Sequence, residues 1–411
     1  MTRRIAYRHA RLLDPASGLD TVGTVLTEGG VIADLGAGLF ADGVPDGIET
    51  IDLRGLCLAP GLIDMRVAAG DGHGYVDEDT ARSAAAGGVT SIVLLPPHTS
   101  LRHSPVRVFH YAGATTGTGA LAEMGLAAQV GALAFTDGAN AIADAAVMVR
   151  VMRYAAALGR FVIQHPEEPS LAAGGQMNAG EVATRMGLPG IPAQAEVIPI
   201  ERDLRLVELT GARLHIAHVS TGAAVDVIRD AKRRGLPVTC DTAPAYFALT
   251  ETDVMGYRTV AKLSPPLRDE MERRAIVEGL ADGTIDAIAS DHQPHPAAAK
   301  DVPFPEAASG IVGLETLLPL TLEMVQNGKL PMLDALGLLT AGPARLLGLE
   351  LGRLAKGATA DLTIFDPDWL WRVDVGRFAS GSRNSPFDRR PVTGRAIRTV
   401  VAGETVFTLD A

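Results

Sequence analysis

Four residues of this chain are of types that hold divalent cations, and each stands at the end of a short apolar run. Asp137 follows Gly131 to Thr136, His165 closes Arg160 to His165, and His218 falls at the end of Arg213 to Val219. Asp291 closes Ile285 to Asp291, within Ala289-Ser-Asp-His-Gln-Pro-His295. Imidazole nitrogen and carboxylate oxygen are donors that zinc accepts. In a working site the metal acidifies a bound water and a carboxylate carries the proton, a role that suits Asp291. One segment argues against such chemistry. The run Ala59-Pro-Gly-Leu-Ile-Asp64 continues into Met65-Arg66-Val67-Ala68. An arginine cannot ligate a cation, and an alanine has no donor.

The elements that position these residues follow from the apolar pattern. Eight strands are predicted at Leu58 to Arg66, Val89 to Leu95, Val106 to Tyr111, Gly131 to Thr136, Arg160 to His165, Arg213 to Val219, Leu236 to Asp241 and Ile285 to Asp291. Amphipathic helical segments separate them, the mark of parallel α/β architecture. Eight such units predict a (β/α)₈ TIM barrel over residues 56–356, with its active site at the C-terminal ends of the strands. A doubly wound sheet is the competing fold, but no Gly-x-Gly-x-x-Gly follows an early strand. Residues 1–55 and 357–411 read as short strands, among them Ile5 to Leu13 and Asp361 to Phe365. Neither set closes a core alone, so together they are expected to form a small β-sandwich. One connection is anomalous. Only eight residues separate Pro97 from Val106, and Pro105 is one of them. A parallel crossover takes a dozen or more. Either the third strand is misplaced or this unit has lost its covering helix.

In this order the motifs resemble the type I dihydroorotase family of the amidohydrolase superfamily. Pro60-Gly-Leu-Ile-Asp64 is similar to the family's first-strand motif, which continues into a zinc-binding His-x-His. Phe135-Thr-Asp-Gly138, His165-Pro-Glu-Glu168 and His215-Ile-Ala-His-Val-Ser-Thr221 resemble further family segments. So do Lys262-Leu-Ser-Pro-Pro-Leu-Arg268, Ala289 to His295, Gly310 to Thr316 and Arg383-Asn-Ser-Pro-Phe387. The resemblance spans nearly the whole chain. It implies metal-ligand positions at Asp137, His165, His218 and Asp291, with Asp291 also the general base. It implies substrate positions at His98, Ser264 and His295. His98 and Ser264 stand where the family has asparagines, and Gly70 where it has a substrate-binding arginine. Arg66 and Ala68 replace the paired histidines. The family's Thr-Pro-His-His becomes Ala243-Pro-Ala-Tyr246.

These departures fall on metal and substrate positions alike. A guanidinium about 4 Å from a divalent ion is repelled by roughly 8 kcal/mol at an effective dielectric of 20. That offsets most of the roughly 10–16 kcal/mol with which structural zinc binds. Pointing inward, Arg66 is expected to take the cation's place and pair with Asp137 or Asp291. The resemblance is closest to the family's non-catalytic members, which assemble with aspartate carbamoyltransferase in pyrimidine biosynthesis. The expectation is therefore a pseudoenzyme without a cofactor, acting as structural or regulatory partner of that transferase. Two alternatives stand beside it. One is an active zinc-dependent cyclic amidase of dihydroorotase, hydantoinase or allantoinase type with a rearranged site. The other is a protein that binds a small acid in the old pocket.

Composition bounds the partners. A net charge of −11 and 21% charged residues argue against nucleic acid or an anionic membrane surface. No uncharged apolar run reaches membrane length, and Met1-Thr-Arg-Arg-Ile-Ala lacks a signal peptide's apolar core. Cys57 and Cys240 offer no disulfide framework, so a reduced cytoplasmic setting and a symmetric homo-oligomer are expected.

Overall fold

The computed structural model describes residues 3–68, 78–97, 104–116 and 119–409. The chain opens with β1 (Arg4–Asp14), β2 (Leu19–Glu28), β3 (Val31–Gly36), β4 (Glu49–Asp52) and β5 (Cys57–Pro60). The next strands are β6 (Leu62–Val67), β7 (Val89–Leu94), β8 (Arg107–His110), β9 (Ala134–Phe135) and β10 (Phe161–Gln164). A short side ribbon, β11 (Met177–Asn178) and β12 (Gly190–Ile191), precedes β13 (Leu214–Ile216), β14 (Val238–Thr242) and β15 (Ala287–Ile288). The chain closes with β16 (Leu362–Arg372), β17 (Pro391–Val401) and β18 (Glu404–Thr408).

β6, β7 and β8 pair in parallel, as do β9, β10, β13, β14 and β15 in that order. Parallel bridges Ala112–Phe135 and Val67–His292 join the two sets and close a (β/α)₈ barrel. Alternation along the strands decides what fills it. Ile63, Met65, Val93, Tyr111, Ile163 and Ala289 point inward and form one buried cluster. Ala344, Leu346 and Leu347 of the helix Ala341–Leu347 belong to the same cluster and seal the floor. The opposite strand faces pack outward against helices such as Gly222–Arg233. That helix starts where the Thr221 side chain accepts a hydrogen bond from the Ala224 amide, a capping contact of about 1 kcal/mol. It buries Ala224, Val225, Ile228 and Ala231, spaced to fall on one face, and ends in Lys232 and Arg233, which suit the negative end of its dipole.

The third strand stands where the sequence puts it, and among the described residues no helix lies between β7 and β8. β8 is half-buried along its length, and Arg107 at its start makes a paired hydrogen bond to Asp361 of the terminal unit, at 2.6 and 3.2 Å. The first barrel strand differs from the expectation. Leu58 to Arg66 is not one strand. β5 pairs with β1 and β16 of the terminal sheet, and only β6, after Gly61, enters the barrel. Any side chain at residue 61 would collide with Thr90, whose Oγ1 lies 2.1 Å from a Cβ built there.

Strands from both chain ends share one mixed eight-stranded sheet, in the order β18-β17-β16-β5-β1-β2-β3 with β4 beside β1. It encloses its own core of Ile5, Tyr7, Leu12, Ile32, Leu58, Leu362, Ile364 and Val400. No helix among the described residues is long and apolar enough to cross a membrane.

Candidate functional site

The C-terminal ends of the barrel strands gather a buried polar centre. Arg66 projects from β6 into it. Its side chain is 3% exposed, and Nε donates to Asp291 Oδ1 at 2.7 Å. The same guanidinium donates to the carbonyl of Gly138 at 3.3 Å. Gln293 donates a second hydrogen bond to Asp291 Oδ1, at 3.0 Å. Beneath this pair lies Asp64, whose Oδ1 accepts from the amides of Arg66 and Ser290, both at 3.1 Å. Burial pushes the Asp64 carboxyl up to about 7, with a further upward push from Asp291.

His165 and His218 meet on the other side. Their rings stand edge to face, 4.8 Å between centroids, and His165 Nδ1 lies 2.9 Å from His218 Nε2. Burial is the main cause holding both imidazoles well below their ordinary range, and the nearby Arg66 charge adds to it. Both rings are therefore neutral at pH 7, and one proton sits between them. Ser264 Oγ donates to Glu167 Oε2 at 3.0 Å and lies 3.4 Å from His165 Nε2. The tautomer that serves most partners has His218 Nε2–H donating to His165 Nδ1, and His165 Nε2–H facing Ser264 and Glu167. Burial raises the Glu167 carboxyl above its usual value.

The backbone at this rim is unusual. His218 and Asp291 have φ of 40° and 49°. Non-glycine residues in the left-handed region are costly and cluster at sites where side-chain aim matters. The His218 amide donates to Asp241 Oδ1 at 2.6 Å, and His215 Nε2 lies 2.9 Å from Asp241 Oδ2, so a buried layer fixes that turn. Three buried atoms of the centre, Asp64 Oδ2, His218 Nδ1 and Asp291 Oδ2, have no partner among the described residues.

The expected residues are thus brought together unevenly. His165, His218, Asp291 and Ser264 converge with Arg66. Asp137 does not join them, contrary to its expected place among the ligands. Its Oδ1 accepts from the amides of Ala114 and Thr115 at 3.0 and 2.8 Å, and its Oδ2 accepts from the Thr115 hydroxyl. The loop after β8 has captured it. Among the described residues no three His, Cys, Asp or Glu side chains are grouped to hold a metal ion. His295 is turned to its own loop, with Nε2 donating to the Ser309 carbonyl at 2.7 Å. Ala68 is half-buried and carries no donor beyond its backbone. His98 and Gly70 lie outside the described residues. Asp64, Glu167 and Gln293 were not foreseen as site residues. For Glu167 and Gln293 the signal was adjacency to His165 and Asp291 within motifs already singled out.

Barrel and rim together define a protein of the amidohydrolase class. The amidohydrolase family profile matches residues 192–406 and the dihydro-orotase-like profile matches residues 55–224. A dihydroorotase of Anaplasma phagocytophilum (strain HZ) is 42% identical over 427 residues, covering 98% of this chain and 95% of that one. A dihydroorotase of Geobacter sp. (strain M21) is 43% identical over 423 residues, covering 98% and 99%. Among solved structures, the L-hydantoinase (dihydropyrimidinase) of Arthrobacter aurescens superposes with a TM-score of 0.87 at 28% identity, covering 100% of this chain and 98% of that one. The chain belongs to the dihydroorotase-like family of amidohydrolases.

Proposed function

We propose that this chain is a non-catalytic dihydroorotase-like protein of pyrimidine biosynthesis that works as structural or regulatory partner of aspartate carbamoyltransferase. The observation that carries the reading is the buried Arg66–Asp291 pair. The residue at the general-base position is bound by a fixed cation, and the two histidine nitrogens nearest each other are bound to each other. The zinc implied by the family does not fit this donor set. One of its histidine positions is a guanidinium inside the centre, the other is Ala68, and Asp137 faces a different loop. No catalytic step is therefore assigned. The departures at Ser264 and Tyr246, whose hydroxyl donates to the Pro265 carbonyl at 2.8 Å, fit a pocket no longer shaped for the ring substrate.

Ring-opening of dihydroorotate and elemental analysis on one purified sample test the inactivity. A metal-dependent rate with stoichiometric zinc refutes it. Co-purification with aspartate carbamoyltransferase, and loss of transferase activity on removal of this chain, test the partnership. One observation favours a second reading, an active cyclic amidase. Two of the unpartnered atoms, His218 Nδ1 and Asp291 Oδ2, each cost about 1–3 kcal/mol unless a guest pairs with them. Such a guest is consistent with a retained small polar ligand, and the same assay separates the two readings.

A further inference from the structure

A second cleft lies away from the strand ends, where the barrel meets the terminal sheet. It encloses about 340 Å³, within the range of small-molecule sites. Ala86, Gly87 and Pro319 form its barrel wall, and Phe378, Phe407 and Leu409 give it an apolar flank. Three guanidinium groups, Arg372, Arg377 and Arg395, line the cleft against two carboxylates, Glu315 and Asp374.

The carboxylates are already engaged. Glu315 Oε1 accepts from Ser83 Oγ at 2.9 Å and from the Ser380 amide at 3.2 Å. Asp374 Oδ1 accepts from the Gly376 amide at 3.0 Å, capping the turn Val375–Arg377. Neither forms an ion pair with Arg377 or Arg395, and neither arginine has a carboxylate partner among the described residues. Arg395 instead lies over the Trp371 ring, 4.5 Å from its centroid, and the indole is fixed by a 3.0 Å hydrogen bond from Nε1 to the Gly394 carbonyl. Burial and then repulsion from Arg377 hold the Arg395 guanidinium below its usual range, which marks two like charges facing one cavity. Other half-buried arginines of this chain, such as Arg107 with Asp361 and Arg390 with Glu323, are matched with carboxylates.

We propose that this cleft binds a small planar anion, an aromatic ring bearing a carboxylate or phosphate. The anionic head sits between Arg377 and Arg395, and the ring lies against Phe378, Phe407 and Leu409. Arginine's planar fork suits either head, and the indole under Arg395 keeps that fork oriented. The site is independent of the strand-end centre and of the function proposed for it.

The test uses the whole chain carrying Trp369→Phe, so that Trp371 is its single indole. Phenyl phosphate is titrated while tryptophan emission is followed. A ligand of this size predicts saturable binding with a Kd of about 0.1–1 mM. Arg377→Gln and Arg395→Gln are each expected to weaken it at least about tenfold, and methyl phosphate or phenol to bind at least about tenfold more weakly. Benzoate run in parallel assigns the preferred head. Arg395→Lys keeps the charge but loses the stacked fork, and it is expected to fall between wild type and Arg395→Gln. Circular dichroism establishes that each variant is folded. Linear, unsaturable quenching up to about 10 mM overturns the proposal, as does unchanged affinity in folded Arg395→Gln.

Discussion

Removal of Arg66 is predicted to hurt the fold far more than removal of the whole pair of which it is part. At 2.7 Å and an effective dielectric of 20, the Arg66–Asp291 attraction is about 6 kcal/mol. Desolvating two ions costs several kcal/mol each, so the pair as a whole adds little net stability. Arg66→Met alone leaves Asp291 as a buried carboxylate whose remaining side-chain donor is Gln293, and this costs about 3–5 kcal/mol. At about 2 °C per kcal/mol for a chain of this size, the unfolding temperature falls by about 6–10 °C. Asp291→Asn alone strands the guanidinium and costs a similar amount. The double variant Arg66→Met/Asp291→Asn removes both charges and is expected to recover most of the loss. The assay is calorimetric unfolding of the four proteins of the cycle at pH 7, which isolates the coupling between the two side chains. Additive losses in the double variant would refute the idea that Arg66 exists to compensate Asp291.

Two further outcomes follow from the same centre. Arg66→His with Ala68→His restores donors at both departed positions, and its zinc content by elemental analysis is expected to rise to about one ion per chain; unchanged content would mean that the capture of Asp137 alone blocks the metal. Asp64 titrates near 7 in the folded chain against an ordinary value of 3.8. Between those values the folded state holds the extra proton, so its contribution, up to about 4 kcal/mol, is present below pH 4 and is lost as pH rises to about 7. Asp64→Asn is expected to remove that loss, read as a flatter dependence of unfolding temperature between pH 5 and 8; identical slopes would place the proton elsewhere.

The barrel was legible because eight apolar runs alternate with amphipathic segments, and that pattern is local. The split at Gly61 was not, because Leu58 to Ile63 carries no charge and reads as one extended apolar run. Nothing in a continuous run tells where its hydrogen-bond partners change from β1 and β16 to β7. Residue type named His165, His218 and Asp291 as members of the centre. It also named Asp137, wrongly, since the amides that capture that carboxylate belong to Ala114 and Thr115, which only folding brings near. Alternation along β6 puts Ile63 and Met65 on the inner face, so the inward aim of Arg66 comes from the irregularity in pairing between Asp64 and Val67, which the sequence pattern does not show. Its choice of Asp291 over Asp137 rests on the capture of Asp137 by the loop after β8.

The division of labour between β5 and β6 has a mechanical consequence. A single extended segment, Cys57–Val67, serves as edge partner in the terminal sheet and as a stave of the barrel, with one glycine between. Even that glycine is tied down: its amide donates to the Asp361 carbonyl at 2.8 Å, and the Leu62 amide to Thr363 Oγ1 at 3.3 Å. A hinge needs free backbone, and this junction offers none. The two units are therefore expected to melt as one cooperative body, read as a single calorimetric transition, since the strand that carries Arg66 is continuous with the terminal sheet.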